Sequence, residues 1–215
     1  MSDKTFSHRF LTAFEINRCH SERSKEYNVY LSDDINYKMY KIAVVGPEST
    51  GKSVLASELA AHYGSPWVPE YARTYVEQLS EPYNFDDICH IAHKQIEQEI
   101  AFEGNNPAPF VFFDTDLIIT KVWLSYCYQQ VPAFVEDRLQ TGFFDLYLLC
   151  EPDLPWEPDP VREHGHDRGF FFDWYKTEIE KLGKPYLRIS GTGKDRIRQA
   201  IKKIDYFISN TQTGR

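Results

Sequence analysis

The sequence predicts a three-layer α/β fold, with a central, mostly parallel five-stranded sheet flanked by helices. Three observations carry this. Short apolar runs recur at 42–45, 110–113 and 144–150, the form taken by strands buried on both faces. The segments between them place apolar residues at helical spacing, so strand and helix alternate as in βαβ units. The first run also passes straight into a glycine-bounded turn at Gly46 and then into a helical segment.

The elements follow in order. Ile42–Val45 reads as the first strand, and Lys52–His62 as a helix with Val54, Leu55, Leu59 and Ala60 at helical spacing. Ser65–Val68 reads as a brief second strand feeding a helix from Glu70 to Leu79. Phe85–Phe102 is helical, with Ile88, Ile91, Ala92, Ile96 and Ile100 on one side. Phe110–Phe113 forms the third strand and ends at Asp114. Helices are expected over Leu117–Tyr128 and Phe134–Leu139, and the fourth strand over Phe144–Cys150. Residues 151–169 are rich in proline and charge and read as a loop. Phe170–Leu182 is helical, Pro185–Ile189 is the fifth strand, and Asp195–Phe207 closes the chain. The resulting domain spans 41–209 and leaves 210–215 as a tail. Residues 1–40 hold six acidic and six basic side chains without a clean period. Phe10, Leu11 and Phe14 suit one face of a short helix there, and Tyr27–Leu31 a short strand; the segment is an N-terminal extension without an assigned role.

Composition narrows the functional classes. The 215 residues are 42% hydrophobic and include 15 Phe, 14 Tyr and 4 Trp, enough for a real core. A formal charge of −8 argues against general nucleic-acid binding, which needs a basic face. Cys19, Cys89, Cys127 and Cys150 form no CxxC pair, so no zinc knuckle or redox motif is indicated and a reducing, cytoplasmic setting is expected. Neither a signal-peptide core nor a membrane-length apolar stretch is present, so no membrane partner is expected.

The chemistry is concentrated at Gly46-Pro-Glu48-Ser49-Thr50-Gly51-Lys52-Ser53, a complete GxxxxGK[ST] phosphate loop between strand and helix. Its glycines let successive backbone amides point at phosphate oxygens, and the following helix adds the positive end of its dipole. The loop residues and the adjoining Val54 are therefore the expected nucleotide contacts. Lys52 can reach the β- and γ-phosphates, and the Ser53 hydroxyl is placed to ligate Mg²⁺. The fold class thus sharpens to a P-loop NTPase that binds an NTP with Mg²⁺, and the residues at the remaining strand ends decide the reaction.

In parallel sheets ligands sit beyond the carboxyl ends of the strands. Asp114-Thr115-Asp116 follows the third strand, where a carboxylate can hold the metal; the alternative is a helix cap. Glu70-Tyr71-Ala72-Arg73 follows the second. There Glu70 can orient and deprotonate an acceptor hydroxyl while Arg73 offsets phosphoryl charge, or the two form a surface ion pair. The 151–168 loop carries six acids against Arg162 and Arg168. It reads either as a lid that brings an arginine to the transferring group or as a solvated loop with internally paired arginines. Trp156 either presents a flat face to an aromatic ring or packs locally.

Three look-alikes are set aside. Gly191–Lys194 lacks phosphate-loop spacing and is expected near the nucleotide base. His164-Gly-His166 falls one residue short of an HxGH site. His90 and His93 have no evident third metal ligand. No Asn-Lys-x-Asp signature of guanine nucleotide switches occurs.

Taken together, GPESTGKS at 46–53, PEYARTYVE at 69–77, FFDTD at 112–116 and DLPWEPDPVRE at 153–163 resemble the NadR-type ribosylnicotinamide kinase family, in matching order over 41–207. The resemblance implies ATP-dependent phosphorylation of nicotinamide riboside to nicotinamide mononucleotide in NAD salvage. It implies Lys52 and Ser53 at the phosphates and metal, Asp114 in the metal shell, and Glu70 at the acceptor ribose, with Asp116 a competing base. Arg162 and Arg168 would act from the lid, Tyr71 and Arg73 would flank the acceptor, and Trp156 would stack on the nicotinamide. Bifunctional members also carry adenylyltransferase and DNA-binding domains. With no HxGH site and too few residues before Lys41, this chain is not expected to complete NAD synthesis alone. A kinase for another (deoxy)nucleoside and a non-catalytic NTP-binding regulator are the alternative readings.

Overall fold

The computed structural model describes residues 38–104, 107–159 and 165–213. The short helix and strand expected within 1–37, and the lid residue Arg162, lie outside them. The described chain runs β1 (Tyr40–Val45), α1 (Lys52–Tyr63), β2 (Trp67–Val68), α2 (Tyr71–Val76), α3 (Phe85–Ile100), β3 (Phe110–Asp114), α4 (Leu117–Tyr128), α5 (Ala133–Gln140), β4 (Leu146–Cys150), α6 (Arg168–Lys181), β5 (Tyr186–Ile189) and α7 (Gly193–Thr213).

All strand pairs are parallel and the sheet order is β2-β3-β1-β4-β5. The runs are apolar throughout because both faces are covered. Along β1, Ala43 and Val45 enter the core beneath α3–α6, while Ile42 and Val44 enter the one beneath α1 and α7. Val111 and Phe113 in β3, and Tyr147 and Leu149 in β4, follow the first face; Phe112, Leu146 and Leu148 follow the second. Strand order reverses on either side of β1, so its carboxyl end is the switch point at which such sheets bind ligands.

The departures from the sequence reading have local causes. Pro66 has no amide to donate to the ladder, so the second strand is Trp67–Val68 rather than the expected 65–68. The following helix stops at Val76 instead of Leu79, and 77–79 continue only as turns bonded to Arg73, Tyr75 and Val76. Asp145 does not join β4, because its carboxylate accepts the Lys41 amide at 2.9 Å. Ile100, expected on the buried side of α3, is 52% exposed at the helix end. Helix α7 starts two residues early at Gly193 and continues through the expected tail to Thr213. In contrast, α3 begins where the sequence signals: Asn84 and Asp87 form a reciprocal capping box.

Phe112 is fully buried beside Ile42 in the central pair. Phe112→Ala should lower unfolding free energy by about 3–5 kcal/mol, read as a shifted midpoint in urea titration; a shift under about 1 kcal/mol would mean the site collapses around the truncation.

Candidate active site

Beyond the carboxyl ends of β1–β4 lies a cleft of about 900 Å³. Its floor is the 46–53 turn, and two positions of that turn account for its shape. Gly46 has φ 150°, and a Cβ there would lie 2.7 Å from the Cys150 carbonyl oxygen, so only glycine lets β1 leave the sheet this close to β4. Gly51, at φ 71°, precedes α1 and gives it no side-chain cap. The first amides of α1 are therefore left for a ligand, at the positive end of the helix. Thr50 is buried and its hydroxyl donates to the Pro47 carbonyl at 2.8 Å; the Lys52 ammonium donates to the same oxygen at 2.9 Å.

The turn's residues Gly46 and Glu48–Val54 all line the cleft, together with Glu70 and Arg73. Glu70 lies two residues past β2, at the N-cap of α2, and makes no side-chain cap bond, which leaves its carboxylate to the cleft. Burial raises its pKa above the usual carboxylate range, opposed by the Lys52 charge and reinforced by Asp114. Arg73 pairs with Glu77 at 2.9 Å and with Asp159 at 2.7 Å, so it joins α2 to the 151–159 segment while lining the cleft.

Thr115 adopts φ 72° immediately after β3, and this left-handed residue separates two aspartates with different surroundings. Asp114 is buried, hydrogen-bonded to Ser53 and within the field of Lys52. Its Oδ1 has no hydrogen-bond partner. A hydroxyl and a carboxylate with an unused oxygen, both next to the phosphate turn, fit a hard cation that takes its remaining ligands from phosphate and water. Asp116 instead caps α4 by accepting the Ile118 amide at 3.1 Å, and it lines a separate small cavity with Glu99 and Gln95. Burial and the Glu99 charge push its pKa up to about 8.

The structure does not bring every expected residue to the cleft wall. Asp114, Asp116 and Tyr71 line the small cavity rather than the main cleft, and the Tyr71 hydroxyl lies 3.1 Å from His90 Nε2. Trp156 packs flat against Gly165, where a Cβ would come 2.6 Å from the indole. Arg168 opens α6 and donates to the Leu154 carbonyl at 2.8 Å, bracing the loop. His93 stacks on Phe134 with ring centroids 4.1 Å apart. No group of three or more metal-type side chains is found among the described residues.

Other residues line the cleft without having been singled out in the sequence. Trp123 and Tyr126 come from α4, Phe171 and Tyr175 from α6, and Glu81 and Tyr83 from the turn before α3. Burial raises the pKa of the Tyr175 hydroxyl, and the nearby Glu48 and Glu70 charges add to the rise. The signal was present as aromatic pairs at i, i+3 and i, i+4 spacing, which put both members on one helix face. The loop 153–159 covers the turn: Glu157 donates its amide to the Ser49 hydroxyl at 3.2 Å, and Leu154 lies over Gly51.

A parallel sheet with a phosphate turn at its switch point, an adjacent Ser–Asp pair and a carboxylate at the next strand end define a P-loop nucleotide-binding protein with the fold of nucleoside and nucleotide kinases. The chain belongs to the AAA domain family, whose model matches residues 41–196. It is 28% identical over 156 residues to the trifunctional NAD biosynthesis/regulator protein NadR of Escherichia coli K12, covering 69% of this chain and 37% of that one. The Salmonella typhimurium NadR is 29% identical over 130 residues, 58% of this chain and 31% of the relative. The chain thus spans about a third of the length of these curated relatives. Among solved structures, a NadR protein in complex with NR superposes with TM-score 0.59 at 26% identity, over 77% of this chain and 50% of that one. NadR in complex with NAD and AMP-PNP gives 0.56 at 26% identity, over 76% and 48%. A thymidylate kinase from Ehrlichia chaffeensis, at 14% identity, TM-score 0.50 and 77% and 98% coverage, shares the fold. Among the described residues no helix is long and apolar enough to cross a membrane.

Asp116 supplies a pH prediction. Freed by unfolding, it ionises near its ordinary 3.8, whereas the folded chain holds the proton up to about pH 8. Between those values the folded state binds more protons, so stability falls as pH rises through the window. Asp116→Asn keeps an acceptor for the α4 cap and removes the titration. The melting temperature of this variant should fall less steeply with pH than that of wild type; an unchanged slope would mean that Asp116 ionises normally in the folded chain.

Proposed function

We propose that the protein is an ATP-dependent kinase that phosphorylates the ribose hydroxyl of nicotinamide riboside, giving nicotinamide mononucleotide and ADP. The observation that carries this reading is Glu70: a carboxylate just past β2, across one cleft from the phosphate turn, with its pKa raised by burial. Glu70 accepts the hydroxyl proton as the oxygen attacks the γ-phosphorus, and the bond from that phosphorus to the ADP oxygen breaks. Lys52 turns from the Pro47 carbonyl to the β- and γ-phosphates, and the amides of 49–53 face the oxygens that carry the charge. Ser53 and Asp114 would hold Mg²⁺, whose charge offsets that of the phosphates when bound.

The acceptor end supports an aromatic, positively charged ring. Trp123, Tyr126, Phe171 and Tyr175 offer faces for stacking, and Glu48, Glu70 and Glu81 line the same cleft. The NadR proteins matched above, one of them in complex with NR, point to the same acceptor. Arg73, tied to Asp159, would bring the 151–159 segment towards the transferring group. Asp116 acts through the α4 cap.

ADP formation should be followed with Mg-ATP and a panel of nucleosides. Turnover confined to nicotinamide riboside is the expected result; turnover confined to deoxynucleosides would overturn the acceptor assignment. ATP binding with no acceptor-dependent turnover would favour a regulator. Glu70→Gln should lower kcat by roughly 10²–10⁴, and Lys52→Ala by at least ~10² with the fold retained. If Asp116→Asn costs more in kcat than Glu70→Gln, the base is Asp116.

A Trp123→Ala variant should raise KM for the acceptor by about tenfold, while KM for ATP stays within about twofold. A rise in the ATP constant instead would move Trp123 to the nucleotide end.

A further inference from the structure

Behind the phosphate turn lies a buried guanidinium that belongs to none of the motifs. Arg196, in the first turn of α7, is 4% exposed. Its Nη2 donates to the Thr50 carbonyl at 3.0 Å and to the Glu151 carbonyl at 3.4 Å. Its Nη1 donates to the Asp153 carboxylate at 2.8 Å and to the Gly191 carbonyl at 2.8 Å. The Gly191 amide donates to the other Asp153 oxygen. One side chain thus joins the phosphate turn, the root of the 151–159 segment and the loop between β5 and α7.

The geometry of an anion-binding turn explains the need for such a group. When amides turn inward to a phosphate, the neighbouring carbonyls turn outward. The outward carbonyl of Thr50 belongs to a residue with no exposure, where water is absent and an unpaired oxygen is costly. A guanidinium meets several acceptors at once in a fixed plane; an ammonium is a point charge on a flexible stem. Asp153 neutralises the guanidinium, so the pair fixes geometry rather than adding positive potential.

We infer that Arg196 is a positioning residue for the nucleotide, setting the Thr50 carbonyl, and with it the phosphate-facing amides, and holding the root of the 151–159 segment against Gly191 in the loop between β5 and α7. This rests on the proposed binding of ATP at the 46–53 turn. A residue that only holds the fold together would change how much protein is folded, not the affinity of the folded fraction. A positioning residue changes that affinity, and changes it for one substrate.

The test uses the full chain with Arg196→Lys and, separately, Asp153→Asn. Three quantities are read: the dissociation constant of a fluorescent ATP analogue with Mg²⁺ and no acceptor, the KM for each substrate, and the melting temperature. The expected result for Arg196→Lys is weaker ATP binding by about tenfold or more, with acceptor KM unchanged within about twofold. Asp153→Asn should move ATP affinity in the same direction by less. A lowered melting temperature with ATP affinity unchanged in the folded protein would overturn the inference. Should Arg196→Lys fail to fold, Asp153→Asn decides: unchanged ATP affinity overturns it. Wild-type protein that binds ATP but never phosphorylates nicotinamide riboside would remove the acceptor assignment and leave the role of Arg196 standing.

Discussion

A turn that offers its amides to an anion has to place its carbonyls somewhere else, and this single requirement organises much of the structure. At 46–53 the Pro47 carbonyl accepts from both Thr50 and Lys52, while the Thr50 carbonyl accepts from Arg196. The turn also has to leave the sheet at its most crowded point. β1 is flanked by β3 and β4, and the backbone at Gly46 passes so close to Cys150 that a methyl group would collide with its carbonyl. The position is nonetheless the right one, because it is the switch point of the strand order and the start of α1, where helix dipole and open cleft coincide.

Charge is distributed around that turn in a way composition alone would not suggest. The chain carries a net charge of −8, and its cleft is lined by more acids than bases. Glu48, Glu70 and Glu81 stand against Lys52 and Arg73, and Arg73 is already paired with Glu77 and Asp159. Phosphate is therefore attracted by fixed dipoles and one lysine rather than by a basic field. Burial outweighs Lys52 in setting the Glu70 pKa, which brings a carboxylate closer to the range in which a base can both take and release a proton.

Much of this was legible in the sequence because it depends on local pattern. The phosphate loop is contiguous, and a strand buried on both faces has to be apolar along its whole length, so β1, β3 and β4 announce themselves. What the sequence hid depends on which way a chain turns. Asp114 and Asp116 are two residues apart and look equivalent, yet the left-handed Thr115 between them sends one towards Ser53 and the other into the cap of α4. Trp156 and Trp123 are equally conspicuous as letters, but Gly165 covers the first while α4 carries the second to the cleft. Arg196 left a fainter trace. It heads the buried stripe of α7 formed with Ala200 and Ile204, at i, i+4 and i+8, where an arginine is out of place unless it has partners.

The contacts of the 151–159 segment bear on how the two ends of the cleft are coupled. Asp153 is bound to Arg196 beneath the turn, Leu154 lies over Gly51 and is braced by Arg168, and Glu157 meets Ser49 on top of it. Asp159 then reaches Arg73 on α2, next to Glu70 just past β2. Seven residues of chain thus run from the support of the phosphate turn to the strand end that carries the acidic group. The segment cannot lift from Arg73 without bending at a part that also touches the turn. A ligand that orders the turn would consequently restrict the same segment that reaches Arg73 on the far side.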